Sequence, residues 1–297
     1  MSELGRLLTA MITPFDAEGA VDYDQTKRLA LTLLASGSDG VVVSGTTGES
    51  PTLSKDEKLR LFSEVKCAVG NQGTVIAGTG SYNTNESIEL TREAEKAGVD
   101  GILLVVPYYN KPTQEGLYQH FRKIAEATNL PCILYNVPSR TITNLALETL
   151  LRLSEVPNIV GVKEASANFE CIARIIKETP DDFLVWSGND GDTFHVMSMG
   201  GYGVISVASH LVGQEIKQMI GRCLAGETAA AAAIHLALMP LVNALFIISN
   251  PMPVKYAMNL AGFPAGKPRL PLTEPDEKTA EAIRKVLANY KIELPKL

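Results

Sequence analysis

The chain has 297 residues, 45% of them apolar and 20% charged, with a formal net charge of -6. This composition excludes a disordered chain and supplies material for a sizeable core, and the acidic balance gives no general attraction to nucleic acid or an anionic membrane. The length exceeds one typical domain yet suits an α/β barrel folding as a single unit.

The opening segment "MSELGRLLTAMITPFD" carries Glu3 early and meets Pro14 soon after its apolar stretch, so it lacks the sections of a secretory signal. A cytoplasmic setting is expected. From there, eight short apolar runs follow one another: "LLTAMITPF", "GVVVSGTTG", "TVIAGTG", "GILLVVPYY", "PCILYNVP", "IVGVKEAS", "FLVWSGND" and "GVISVASH". The segments between them have helical spacing. "SKDEKLRLFSEVKCAVG" opens with a capping box, Ser54 and Glu57, and ends at Gly70, while "NTNESIELTREAEKAG" stops at Gly98. Near-continuous apolar strands alternating with helices predict a parallel sheet covered on both faces, and eight such units predict a closed (β/α)8 TIM barrel. A doubly wound open sheet is the rival.

After the eighth run the pattern is purely helical. Residues 1–224 read as the barrel and 225–297 as a C-terminal helical extension packed on it, with too few strongly apolar positions for a core of its own. Within the extension, residues 229–248 hold no charge over a length that suits a bilayer, but His235, Pro240 and Asn243 interrupt them. A buried or interface helix is expected there, not a membrane span. The cysteines Cys67, Cys132, Cys171 and Cys223 are far apart and are expected as small core residues. The histidines His120, His195, His210 and His235 lack metal-binding spacing, so structural roles and no metal are expected.

In a parallel barrel, chemistry sits where the strands end. The residues finishing the apolar runs are Thr46 and Thr47, Tyr108 and Tyr109, Tyr135, Lys163, Gly188 and Asn189, and Ile205. Lys163 stands out because it directly follows the buried-strand pattern "NIVGV". Two readings fit it: an ion pair with Glu164 or another carboxylate, or a desolvated amine that forms a Schiff base with a carbonyl. Neighbouring strand residues point to opposite faces, which weakens the pairing with Glu164, and the strand-end position favours the amine. Lys255 in "NPMPVKYAMNL" is the one other lysine in a partly apolar setting.

Imine chemistry needs proton carriers. Tyr135 is the natural neighbour, with Thr46 and Tyr109 as relay candidates, and a core tyrosine is the competing reading of each tyrosine. An α-keto acid also needs its carboxylate held, for which the amides of "GTTGE" with Thr46 and Thr47 form a suitable concavity. Arg140 in "NVPSRT" suits a second carboxylate.

The stretches "GTTGES", "PYYNKPTQEGLYQHF", "ILYNVPSRT", "GVKEAS" and "GGYGVIS" occur in the order and spacing of the dihydrodipicolinate synthases, also called 4-hydroxy-tetrahydrodipicolinate synthases, which the chain resembles over essentially its whole length. These belong to the pyruvate-dependent class I aldolases. The resemblance implies that Lys163 forms an imine with pyruvate, with no separate cofactor, and that the enamine attacks aspartate-4-semialdehyde in the first committed step of lysine and diaminopimelate biosynthesis. It further implies that Tyr135, Thr46 and Tyr109 relay protons, the last supplied by a neighbouring subunit. Thr47 is implied at the pyruvate carboxylate, Arg140 at the semialdehyde carboxylate, and Gly188 and Ile205 in the pocket lining. A homotetramer built as a dimer of dimers is implied. Ser50, Glu86 and Tyr108 match a lysine-effector site, in which Lys55, Lys58 and Tyr82 replace the residues of sensitive members, so weak or absent lysine feedback is expected. Related members cleave N-acetylneuraminate or 2-keto-3-deoxy sugar acids, and an arginine at position 140 suits a short acidic aldehyde better. A barrel that only binds is the reading from another class.

Overall fold

The computed structural model describes residues 4–292, 294 and 295. Glu3, used above against a secretory signal, lies outside them. Eight strands run parallel: β1 Leu7–Ala10, β2 Gly40–Val43, β3 Thr74–Gly78, β4 Gly101–Val105, β5 Cys132–Asn136, β6 Ile159–Glu164, β7 Leu184–Ser187 and β8 Gly203–Ser206. Each pairs with the next, and β8 pairs with β1, closing the ring. Closure removes both sheet edges and rules out the doubly wound alternative.

Alternation along the strands builds two apolar layers. Leu8, Val42, Ile76, Leu103, Ile133, Trp186 and Ile205 cluster with Tyr135 inside the barrel. Their neighbours Leu7, Val41, Val75, Ile102, Leu134, Val162 and Val204 join the larger cluster shared with the helices. Both faces are therefore buried, which explains why the strands read as continuous apolar runs.

The capping box closes the start of helix Lys55–Val69: Ser54 Oγ accepts from Glu57 N at 3.2 Å, and Glu57 Oε2 accepts from Ser54 N at 2.8 Å. The expectation that the cysteines lie in the core is corrected here. Cys132 on β5 is buried, Cys67 is exposed, and Cys171 and Cys223 are half-buried. Cys67 lies off the helix stripe formed by Leu61, Phe62, Val65 and Val69, which is the face turned to the core.

Beyond residue 224 the described chain contains the helices Thr228–Leu245, Met252–Leu260 and Glu277–Leu287. The first is long and apolar enough to cross a membrane by length and composition. It packs on helices Ser209–Leu224 and Glu277–Leu287, burying Ala231, His235, Leu238, Leu241 and Val242 while Leu236 stays exposed. Near Pro240 the Tyr290 hydroxyl accepts from Leu241 N at 3.3 Å and donates to Ala237 O at 2.7 Å. It thereby satisfies backbone groups in the turn where the proline interrupts the helix.

Candidate active site

Lys163 lies on β6, 5% exposed, and Tyr135 on β5, 6% exposed, at directly opposed register positions. The ammonium nitrogen is 4.2 Å from the centroid of the tyrosine ring. Glu164 points to the other face of the strand, where its carboxylate accepts from Asn136 Nδ2 at 3.0 Å and from Ser166 N at 2.7 Å. Lys163 makes no ion pair with any described residue, so the ion-pair reading fails and the desolvated amine remains.

Burial pushes the Lys163 amine down to about 8, against the pull of the Asp190 carboxylate, with the Arg140 charge adding to the depression. Asp190 is itself buried at the start of the loop after β7. Ser206 Oγ donates to it at 2.5 Å, Val207 N at 2.9 Å and Ala208 N at 3.1 Å. Burial raises its carboxyl, partly offset by those donors. Burial also raises the Tyr135 phenol, while Arg140 and a hydrogen bond with Thr46 act the other way.

Tyr135, Thr46, Arg140, Ser50 and Tyr108 line one cavity of about 210 Å³ at the strand ends. A larger cleft of about 630 Å³ opens at the opposite end of the barrel beside Asp39, Lys66, Asp100 and Lys217. Its charges pair with one another, Lys66 with Asp100 at 2.7 Å and Lys217 with Asp39 at 3.0 Å, and strand-end chemistry belongs to the smaller cavity.

The turn after β2 is built by its own backbone: Glu49 N donates to Thr46 O at 3.1 Å and Ser50 N to Gly45 O at 3.2 Å. The amides of Thr46, Thr47 and Gly48 make no hydrogen bond to any described residue. Buried Thr47 accepts from Asn250 Nδ2 at 2.9 Å, and Arg140 Nη2 donates to Asn250 O at 3.1 Å. Asn250, a residue that the sequence pattern did not single out, thus joins two candidate substrate-binding residues, and its own Oδ1 is buried without a partner.

Gly188 fits where a side chain cannot: an added Cβ would lie 2.6 Å from Ala165 Cβ, and its N–H donates to Glu164 O at 2.7 Å. Ile205 is buried inside the barrel. Tyr109 lies apart from these residues. β4 ends at Val105, and Tyr109 stands beyond it with a φ of 73° and 91% exposure, absent from the cavity wall. Asn189 turns to Asp192, to which its Nδ2 donates at 2.8 Å.

Of the effector-site candidates, Tyr82 and Tyr108 meet edge to face with centroids 5.1 Å apart, and Ser50 accepts from Ser44 Oγ at 3.3 Å. Burial lowers the Lys58 amine and the Glu86 carboxylate counters it. Lys55 turns away to Glu89, 3.4 Å distant on the surface. Among the histidines, His210 accepts from Ile12 N at 3.1 Å and donates to Val207 O at 2.8 Å, a neutral structural ring. Its burial holds it down at about 4. Among the described residues no three His, Cys, Asp or Glu side chains are grouped to hold a metal ion.

A parallel barrel that ends in a desolvated, unpaired lysine against a buried tyrosine defines a lyase of the class I aldolase type. Residues 3–290 match the model of the Dihydrodipicolinate synthetase family, and the chain belongs to that family. It is 63% identical over 295 residues to the 4-hydroxy-tetrahydrodipicolinate synthase of Dehalococcoides mccartyi, with 99% of each chain covered. The solved dihydrodipicolinate synthase of Bacillus anthracis matches with a TM-score of 0.96 at 45% identity, over 98% of this chain and 100% of that one. The corresponding enzyme of Cyanidioschyzon merolae, solved with lysine bound, matches with a TM-score of 0.95 at 47% identity, over 96% and 97%.

Proposed function

We infer that the chain condenses pyruvate with aspartate-4-semialdehyde to give 4-hydroxy-tetrahydrodipicolinate and water, the first committed step of lysine and diaminopimelate biosynthesis. The observation that carries this reading is the unpaired, buried Lys163 amine beside Tyr135 in a chain 63% identical over its whole length to a 4-hydroxy-tetrahydrodipicolinate synthase.

In this proposal the neutral Lys163 amine attacks the keto carbon of pyruvate, and the carbinolamine loses water to form the imine. Loss of a methyl proton gives the enamine, whose carbon attacks the aldehyde carbon of the semialdehyde, forming the new C–C bond. The substrate's own amine then displaces Lys163 from the imine carbon and closes the ring, restoring the free lysine. Tyr135 passes protons at the carbinolamine, with Thr46 as its partner. The free amides of Thr46, Thr47 and Gly48 and the threonine hydroxyls suit the pyruvate carboxylate, and the Arg140 fork suits that of the semialdehyde. Gly188 and Ile205 are not on the wall of the cavity of about 210 Å³; in this reading Ile205 packs inside the barrel beneath the site, and Gly188 allows the close approach to Ala165 and Glu164.

Tyr109 completes the relay from a neighbouring copy in this reading, and its 91% exposure on a left-handed backbone fits a side chain presented outward. A homotetramer built as a dimer of dimers, a cytoplasmic setting and the absence of any metal or organic cofactor belong to the same proposal. The test is product analysis by NMR with pyruvate and aspartate-4-semialdehyde, alongside N-acetylneuraminate and 2-keto-3-deoxygluconate as cleavage substrates. Turnover of the semialdehyde alone supports the proposal. Preferential cleavage of a sugar acid moves the chain to a sister activity, and no turnover of any of them leaves the binding barrel.

A further inference from the structure

Behind the turn that carries Thr46 and Thr47 lies a buried ion pair. Lys255 Nζ is 2.7 Å from Glu49 Oε1, with side-chain exposures of 1% and 0%. The ammonium also stands 3.9 Å from the Phe15 ring centroid and donates to Lys267 O at 3.3 Å. The second carboxylate oxygen of Glu49 accepts from Arg269 N at 2.8 Å. Both donors, the Lys255 ammonium and the Arg269 backbone N–H, come from beyond residue 224, far along the chain from the turn they grip.

Glu49 has a φ of 57°, in the left-handed region that side-chain-bearing residues adopt at a cost. Such a conformation persists where the surroundings over-determine it, and sites that bind or react are where it concentrates. Here the strained residue closes the turn, through Glu49 N to Thr46 O, and its carboxylate is the anchor point. On the other side, Thr13 Oγ1 donates to Gly48 O at 2.7 Å. An isolated buried ion pair contributes little net stability over an apolar replacement, so fixing one geometry is its better-attested use.

We propose that Glu49 and Lys255 form a positioning lock that holds the Thr46–Thr47 turn in the shape needed to receive the keto-acid carboxylate. The inference rests on the carboxylate-binding role proposed for that turn. Neither side chain touches substrate, so the lock acts through Thr46, Thr47 and the free amides. Its loss weakens capture of pyruvate and spares the imine chemistry once pyruvate is bound.

The test uses the full chain with Glu49→Gln, Lys255→Met and the double variant, measuring KM and kcat for each substrate, thermal unfolding, and borohydride trapping at saturating pyruvate. Glu49→Gln and Lys255→Met should each raise KM for pyruvate roughly tenfold while kcat stays within about threefold, the signature of lost binding common to ground and transition states. KM for the semialdehyde should stay unchanged. The double variant should be less impaired than the two effects combined, because it leaves no buried charge unpaired. Glu49→Gln, which keeps the shape of the side chain, decides the matter if Lys255→Met does not fold. A folded Glu49→Gln with wild-type KM for pyruvate overturns the lock, as does an equal change in both substrates' kinetic constants that merely follows lost stability. A wild-type chain without a pyruvyl adduct overturns the pyruvate reading and the lock with it, whereas a wild-type adduct beside unchanged KM in Glu49→Gln overturns the lock alone.

Discussion

Lys163 and Tyr135 face each other across neighbouring strands, the amine nitrogen 4.2 Å from the ring centroid, and neither side chain is more than 6% exposed. The contact follows from the β5–β6 register, which sets Tyr135 opposite Lys163 and Asn136 opposite Glu164. On the outer face, the Asn136 amide donates to the Glu164 carboxylate at 3.0 Å and 3.2 Å. One polar pair outside thus accompanies the reactive pair inside.

Tyr135→Phe keeps the ring under the amine and removes the hydroxyl. We expect kcat to fall by roughly 10²–10⁴, the usual size of a lost acid–base group, with little change in thermal unfolding. A loss of less than about tenfold in steady-state assays would remove Tyr135 from the proton path.

Imine formation requires the neutral amine, so kcat/KM for pyruvate should rise as pH passes through about 8 and level off above it. The stability effect has the same sign. The folded chain sheds this proton at about 8, whereas the unfolded chain keeps it to roughly 10.4, so stability on this account rises between those values and the penalty is fully present below them. Asp190 opposes the depression. Asp190→Asn should therefore move the acidic limb of the pH profile downward, by roughly one unit for a nearby buried charge. An upward shift would contradict this electrostatic arrangement.

Gly188→Ala places a methyl group 2.6 Å from Ala165 Cβ and 3.1 Å from Glu164 O, just after the reactive lysine strand. The overpacking should cost about 1–3 kcal/mol in denaturant unfolding and lower activity beyond what the lost folded fraction explains. Wild-type stability and rate would show that the β6–β7 approach tolerates a side chain.

Free lysine should inhibit weakly or not at all. The Lys58 amine already lies in the field of Glu86, and a second cation would meet like charge there. Activity titrated with lysine tests this, and Lys58→Ala should increase sensitivity. Strong inhibition of the unaltered chain would contradict it.

The barrel was legible because parallel strands buried on both faces leave uninterrupted apolar runs, and Lys163 was legible because a cation breaks one of them. Arrangements that depend on distant residues meeting left no local trace. Asn250 reaches Thr47 from the turn before helix Met252–Leu260, and Lys255, noted in sequence only for its partly apolar setting, reaches Glu49 from that helix; neither partner could be read from the local pattern. Asp190 follows the noted strand-end residues Gly188 and Asn189 but shows its role only through donors from the end of β8. Tyr109 was grouped with the other strand-end residues, yet β4 stops at Val105 and the intervening backbone carries it into the open. Cys67 was misplaced because residue type alone does not say which stripe of a helix faces inward.

The most direct measurement is borohydride reduction of the folded chain in the presence of pyruvate, followed by peptide mass spectrometry. A reduced pyruvyl adduct on Lys163, with Lys255 unmodified behind its Glu49 pair, is the predicted result. An unmodified Lys163 in folded protein, or an adduct on Lys255 instead, would contradict the account.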